Sequence, residues 1–271
     1  MRRLILIGFT MLVSLALSAQ GIPLCKEAPF GAGESVQMGI MFKWGAVNTE
    51  VGQARLGVEE VPYGPDSTQV YHAACVVKSA PFFDLFFKMR EHFQTWFTPG
   101  EIRPLEALRD TYENGYTAVN HFVYDWEAGI IRADVAYNGQ APEHKELPVK
   151  GLSYDIVSLI YYLRGLDWEK ADAGSPVLVP FAIDDNVYEV KVTYLGPEVF
   201  KVRKQGKFRA LRFSCTVVAG ALFEGDKELQ AWFSDDANHL PLAVMVPLRM
   251  GTVWAWLKGW EGLKNEMEAK L

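Results

Sequence analysis

The chain has 271 residues, of which 49% are hydrophobic and 22% are charged, so it is long and apolar enough to bury a large core. Its formal net charge is −6, and the lysines and arginines form no basic stripe. Nucleic-acid binding depends on clustered basic residues facing phosphate, so this composition argues against it.

The first 19 residues have the form of a secretory signal peptide. Two arginines precede the apolar run Leu4–Leu17, and the small residues Ser18 and Ala19 follow it. This order is typical of an export signal, and the run is too short for a comfortable membrane span. We expect removal of residues 1–19, which would leave a mature chain of net charge −8 in the periplasm or cell envelope of a Gram-negative bacterium.

The mature chain is predicted to be one β-rich domain, residues 34–271, behind a flexible tail, residues 20–33, that carries two prolines and three glycines. Apolar residues alternate with polar ones through many short runs, as expected for strands with one face on a core. The strand-like runs are Val36–Phe42, Ala54–Val58, Gln69–Val77, Glu91–Phe97, Leu105–Tyr112, Tyr116–Trp126, Ile130–Tyr137, Val177–Ile183, Val187–Tyr194, Val199–Arg203, Phe208–Val218, the two halves of Glu228–Val246, and Thr252–Leu257. Their hairpin-length connections include Asn114-Gly115, a favoured two-residue turn. The pattern predicts a mainly β fold, an antiparallel barrel-like or strongly curved sheet.

Two short helices are predicted to cover an opening of this sheet. The first is one or two helical turns within 82–89, directly after Pro81. The second is Tyr154–Arg164, for which we expect Ser153 to be the N-cap and Asp155 to suit the positive helix start. Its buried stripe is formed by Ile156, Leu159, Ile160 and Leu163.

Several stretches together resemble an uncharacterised family of exported bacterial proteins, domain of unknown function 3108. The matching stretches are Pro29–Glu34, Phe86–Phe93, Arg103–Leu105, Asp155–Arg164, Trp232–Asp236 and Pro241. The resemblance spans nearly the whole mature chain and implies one exported domain. It implies no activity, cofactor or catalytic residue. The predicted architecture is also similar to open half-barrels that carry lipids or lipoproteins across the periplasm, but a shared architecture does not assign a function.

The residues that invite a catalytic interpretation are carboxylates in turns. Asp235 and Asp236 with His239 could bind a divalent cation or transfer protons. The same question arises for the sequence Asp-Asp-Asn at 184–186. Asp and Asn are also ordinary turn formers, because their side chains bond their own backbone. The other histidines lack the spacing of a zinc site, so we expect no metal and no cofactor.

The candidate ligand-binding residues are aromatic or basic: Phe82, Phe83, Phe86, Phe87, Arg90, Arg164, Trp254 and Trp256. The aromatic members are expected either to fill a core or to line an apolar ligand cavity. Arg90 and Arg164 each follow an apolar segment and need a partner, for which Asp84 and Asp155 are the nearest candidates. The alternative for both arginines is the head group of an anionic ligand.

The leading hypothesis is a non-catalytic exported protein of the cell envelope that binds an apolar or amphipathic molecule. One alternative is an envelope interaction or assembly factor that docks another protein through its aromatic segment. A third is an Asp-dependent hydrolase or metal-binding enzyme built on Asp235, Asp236 and His239. The sequence leaves open whether the interior is hollow and whether Cys75 and Cys215 form a disulfide.

Overall fold

The structure is a computed structural model that describes residues 21–217 and 228–271. The predicted signal peptide, residues 1–19, lies outside the described residues. The same holds for Val218, the last residue of one predicted strand.

One antiparallel sheet contains all of the strands in the described residues. Strands β1 to β8 follow one another outward as hairpins on one side, and β14 back to β9 follow on the other. The two series meet where β1 pairs with β14. The strands are β1 (Ser35–Trp44), β2 (Val47–Tyr63), β3 (Thr68–Ser79), β4 (Met89–Phe97), β5 (Pro104–Glu113), β6 (Tyr116–Asp125), β7 (Ile130–Tyr137), β8 (Glu143–Pro148), β9 (Pro176–Ile183), β10 (Asn186–Val202), β11 (Gly206–Val217), β12 (Leu229–Ser234), β13 (Pro241–Pro247) and β14 (Thr252–Glu261).

The sheet curls until its two ends touch, although β8 and β9 do not pair. The turn between β9 and β10 reaches across to the opposite end of the sheet. Arg109 donates to Asp184 at 2.6 Å, and Lys145 donates to Asp185 at 2.8 Å. The predicted turn at 184–186 therefore joins this end of the sheet to β8 at the other end, and to β5 further in, through ion pairs rather than through a strand ladder.

The helix α1 (Ile156–Gly165) connects β8 to β9 and packs against β3, β4 and β9 on the concave side. It is the α-helix of the described residues, and within them no helix has the length and apolar character to cross a membrane. The predicted mainly β, antiparallel, strongly curved fold is confirmed. So is the prediction of a helix near 154–164, with its start shifted by two residues.

Some details differ from the sequence predictions. The segment 82–89 forms only a 3-10 turn, Phe83–Leu85, and three of its four phenylalanines face solvent instead of covering an opening. The two strands predicted at 187–203 are one strand, β10, because a bulge after Tyr194 carries the chain past Gly196, whose φ is +103°. Strand β8 was not predicted, since its sequence Glu-His-Lys-Glu-Leu-Pro has little apolar alternation.

Candidate binding site

A cavity of about 400 Å³ lies between α1 and the concave face of the sheet. This volume falls within the range of small-molecule sites, roughly 300–1,000 Å³. The lining residues are nearly all apolar: Met38, Ala54, Leu56, Cys75, Ile156, Leu159, Ile160, Leu163, Phe181, Ile183, Val190, Val192, Cys215, Thr216, Leu229, Ala231, Phe233, Pro241 and Val244. The interior is therefore partly hollow, and its walls suit hydrocarbon.

The apolar stripe of α1 forms one wall of this cavity. Ile156, Leu159, Ile160 and Leu163 fall at i, i+3, i+4 and i+7, which places them on one face of the helix. The opposite face is also buried, with Val157 and Tyr161 fully enclosed. Apolar contacts on both faces hold the helix in place over the cavity.

The start of α1 is fixed to the sheet by Asp155, which is the N-cap. Its carboxylate accepts hydrogen bonds from the backbone N–H of Val157 at 2.9 Å and of Ser158 at 3.1 Å. It also accepts from the Thr95 hydroxyl of β4 at 2.9 Å. Burial raises the pKa of Asp155, whereas the hydrogen bonds oppose that rise. The predicted N-cap, Ser153, is buried two residues earlier and does not cap the helix.

The end of α1 is fixed by Arg164, whose partner is Glu34 and not the predicted Asp155. Two guanidinium nitrogens donate to the Glu34 carboxylate at 2.5 and 2.8 Å, and both side chains are 0% exposed. The guanidinium also donates to the carbonyl of Asn238 at 3.0 Å and lies over the Phe30 ring at 5.2 Å. Arg164 is therefore fully committed within the protein and does not point into the cavity.

Two cysteines line the cavity from different strands, Cys75 on β3 and Cys215 on β11. Both thiols are free in the structure. Burial raises the pKa of each thiol to about 12, and a nearby carboxylate adds to the rise. Neither thiol has the lowered pKa that a nucleophilic cysteine needs, so they act as small apolar wall residues.

The aromatic segment predicted as a ligand contact lies outside the cavity. Phe82, Phe86 and Phe87 are exposed and Phe83 is half-buried. At the base of this segment, Arg90 donates to Asp84 at 2.5 and 3.0 Å. This ion pair with Asp84 is one of the two roles that the sequence predicts for Arg90. These hydrogen bonds lower the pKa of Asp84 to about 2, and the Ser79 hydroxyl contributes to the decrease.

Trp254 and Trp256 lie on the outer face of the sheet. Between them, Ala255 pairs with Val244, which lines the cavity, so the two tryptophans point the other way. Their rings stack at 4.7 Å. The stack continues through Trp232 of β12 and Phe200 of β10. The eight predicted ligand residues are therefore divided between the outer surface and the ion-pair networks, and none lines the cavity.

The carboxylates of the turn after β12 make structural contacts. Asp236 accepts hydrogen bonds from the Ser234 hydroxyl at 2.7 Å and from two backbone N–H groups. His239 donates through Nδ1 to the carbonyl of Arg164 at 2.7 Å, and burial lowers its pKa. Asp235 belongs to the same turn, hydrogen bonded through its backbone N–H. Across the ranges that the structure describes, no group of three His, Cys, Asp or Glu is placed to hold a metal ion.

The sequence patterns placed the residues of both walls in the buried core, but they did not predict that these residues line a cavity. Ala231, Phe233 and Val244 belong to the predicted hairpin Glu228–Val246, whose alternation marked them as core residues. Alternation shows which residues share a face, but it does not show whether opposite walls meet or leave a gap. The gap depends on the side-chain volumes of strands that are distant in sequence.

Comparison with known proteins agrees with this architecture. The model of the family described as Protein of unknown function (DUF3108) matches residues 40–257. No curated protein matches the chain. A solved beta-barrel-like protein of domain of unknown function DUF1849 from Brucella abortus is similar, with a TM-score of 0.57 at 10% identity over 86% of this chain and 99% of that chain. This likeness shows a shared fold and nothing more.

Two further solved structures resemble the chain less well. One is described as a candidate exported protein with a YmcC-like fold from Bacteroides fragilis, with a TM-score of 0.38 and 8% identity over 88% of this chain and 100% of that chain. The other is described as a candidate lipoprotein from Parabacteroides distasonis, with a TM-score of 0.31 and 9% identity over 86% of this chain and 97% of that chain. Neither likeness supports an argument about this chain.

Proposed function

Since this chain belongs to the family Protein of unknown function (DUF3108), and the membership brings no activity with it, we propose a function from the cavity itself. The protein is a non-catalytic, exported binding protein of the cell envelope that holds an apolar or amphipathic molecule beneath α1. The observation that carries the proposal is the cavity of about 400 Å³ with almost wholly apolar walls.

The chemistry of the walls supports binding rather than catalysis. The two thiols are the titratable groups among the lining residues, and burial raises the pKa of both. The walls therefore offer dispersion contacts and removal of hydrocarbon from water, at roughly 25 cal/mol per Å² buried. Export is supported by the signal-peptide pattern of residues 1–19.

The geometry of α1 supports a preformed cavity. Asp155 fixes one end of the helix to β4, and Arg164 fixes the other end to Glu34. A wall held at both ends keeps its shape when the cavity is unfilled, and binding then requires little reorganisation.

Binding of N-phenyl-1-naphthylamine, an apolar fluorescent probe, tests the proposal. Ala231 lies in the β12 wall, so Ala231→Phe places a ring inside the cavity. We expect saturable probe binding by the natural protein. In the variant we expect a loss of affinity of about tenfold or more, because the added ring fills part of the cavity; a tenfold loss corresponds to about 1.4 kcal/mol. Extraction of purified protein followed by lipid mass spectrometry identifies a natural ligand.

Ala141→Phe is the matched control, because Ala141 is exposed in the connection between β7 and β8. It adds the same ring outside the cavity and should leave probe affinity unchanged. The proposal fails if the natural protein shows no saturable binding, or if both variants bind the probe as well as the natural protein. Unfolding curves establish that each variant is folded.

A further inference from the structure

Large apolar side chains are exposed together at one end of the barrel. They belong to the β1–β2, β3–β4 and β13–β14 connections. These connections are neighbours, because the strand order places β3, β2, β1, β14 and β13 side by side. We call them the apolar rim: Trp44, Val47, Phe82, Leu85, Phe86 and Met250, each between 46% and 78% exposed. A patch of this kind on a soluble protein marks an interaction surface.

Backbone contacts bring these connections together. The N–H of Ala80, just before the aromatic segment, donates to the carbonyl of Val51 in β2 at 2.8 Å. On the other side, Lys43 pairs with Thr252, so the turn that carries Met250 adjoins the turn that carries Trp44. The three connections therefore lie side by side at this end of the sheet.

The aromatic part of the rim is held in an outward position. Arg90, Asp84 and Ser79 form a hydrogen-bonded network that ties the end of β3 to the start of β4. Above it, the Phe82 and Phe86 rings pack edge to face at 5.8 Å. The network holds the backbone so that these rings face solvent, and no collapse onto the core is needed to stabilise them.

Among the described residues, the charges around the rim are mainly basic, although the chain is acidic overall. Lys43, Lys88 and Arg249 are exposed there, and the carboxylate of Asp84 is neutralised by Arg90. The exposed carboxylates next to them are Glu50, which is paired with Lys258 at 2.6 Å, and Glu113, which lies opposite Met89 at the start of the β5–β6 turn. Protruding aromatic residues flanked by lysine and arginine fit the headgroup region of an anionic membrane.

We propose that the apolar rim docks the barrel, end first, onto an anionic lipid bilayer. Hairpin tips project from the protein, and projecting rings can enter a lipid surface without a complementary groove. The proposal goes beyond the cavity function and does not depend on the cavity being filled.

The position of the cavity agrees with this orientation. Ile183 ends β9 and Leu229 begins β12, and both line the cavity. In an antiparallel sheet these strand ends lie at the same end of the barrel as the β13–β14 turn. A bilayer at the rim would therefore face the end of the cavity that these residues form.

Flotation with lipid vesicles tests the proposal. The purified protein is mixed with vesicles of phosphatidylcholine alone, or of phosphatidylcholine and phosphatidylglycerol in equal parts. We expect flotation with the anionic vesicles and a loss of about tenfold or more in binding for the double variant Phe82→Ser, Phe86→Ser, because each ring contributes buried apolar area. Lys88→Glu should weaken binding to the anionic vesicles only.

The matched control is Leu178→Ser with Val199→Ser, which removes two exposed apolar side chains from β9 and β10, away from the rim. This control should float like the natural protein. Absence of flotation by the natural protein overturns the proposal, as does an equal loss in the control; capture of a protein partner without vesicle binding does the same. Ala231→Phe separates the two proposals, because this variant should lose binding of the fluorescent probe and still float with the anionic vesicles.

Discussion

Arg164 and Glu34 form a two-point ion pair in which neither side chain has any exposure to solvent. The two residues are 130 positions apart in the chain, so the pair joins the end of α1 to the start of β1. The same guanidinium donates to the backbone carbonyl of His239 at 3.1 Å and thereby ties in the turn after β12. One side chain thus holds together the end of α1, the start of β1 and the turn after β12.

Breaking this pair should destabilise the protein strongly. Glu34→Gln leaves the Arg164 charge buried without a counter-charge, and loss of one partner of a buried pair typically costs about 3–5 kcal/mol. The double variant Glu34→Leu, Arg164→Met should recover part of that loss, because it removes both charges. Urea unfolding gives the free energy of unfolding of each variant.

The exposed pair between Arg132 and Asp125 provides the control. Their side chains are 53% and 25% exposed, and pairs of this kind contribute about 0–1 kcal/mol. Asp125→Asn should therefore change the free energy of unfolding little. A similar small effect for Glu34→Gln would contradict the role given to the buried pair.

The N-cap of α1 makes a second prediction. Asp155→Ala removes the acceptor for two helical N–H groups and for the Thr95 hydroxyl. Loss of a cap alone costs about 0.5–2 kcal/mol. Weaker hydrogen bonding of the buried Thr95 hydroxyl, which keeps only the Glu106 carbonyl at 3.3 Å, adds to it, so we expect about 2–3 kcal/mol. Ser153→Ala should cost much less, since the Ser153 hydroxyl only reaches the Gly151 carbonyl at 3.5 Å. Equal losses in the two variants would argue against Asp155 as the cap.

Local patterns were sufficient to predict several elements of the fold. Asn114 and Gly115 have positive φ, as the predicted hairpin turn requires, because both residue types tolerate that conformation. The spacing of Ile156 and Leu163 predicted the buried face of α1 from residues that are close in sequence.

Pairings between distant segments could not be predicted in the same way. Nothing near Arg164 in sequence indicates Glu34, and the nearby Asp155 was the natural but incorrect candidate. Alternation placed Trp254 and Trp256 on one face, yet only the pairing of Ala255 with Val244 shows that this face is outside. Phe82, Phe86 and Phe87 were predicted to fill a core or to line a ligand cavity, but within the described part of the chain their side chains are exposed.

The cavity thiols give a third prediction. The pKa of Cys75 and of Cys215 is raised to about 12 by burial, so almost no reactive thiolate exists at pH 8. Iodoacetamide should therefore modify both residues in urea and leave them unmodified in the folded protein over the same time. Peptide mapping by mass spectrometry measures the modification. Rapid reaction in the folded protein, or a disulfide between the two, would contradict the structure.

Glu91 makes the stability of the protein depend on pH. The side chain is buried on β4, where the Thr111 hydroxyl donates to one carboxylate oxygen at 2.5 Å and the other oxygen has no partner. Burial raises the pKa of Glu91 from 4.5 to about 7, against the opposing effect of that hydrogen bond. At pH values between about 4.5 and about 7, Glu91 therefore keeps its proton in the folded protein and releases it in the unfolded chain.

The free energy of unfolding should therefore fall as the pH rises from about 4.5 to about 7, and this contribution should be constant outside that window. Glu91→Gln removes the ionisable group, so the variant should gain on the order of 1–3 kcal/mol relative to the natural protein at pH 8 and little at pH 4. Glu113→Gln, at an exposed position on β5, is the control and should show no such difference. Urea unfolding at both pH values measures the effect, and a gain at pH 4 equal to that at pH 8 would show that the charge of Glu91 is not its cause.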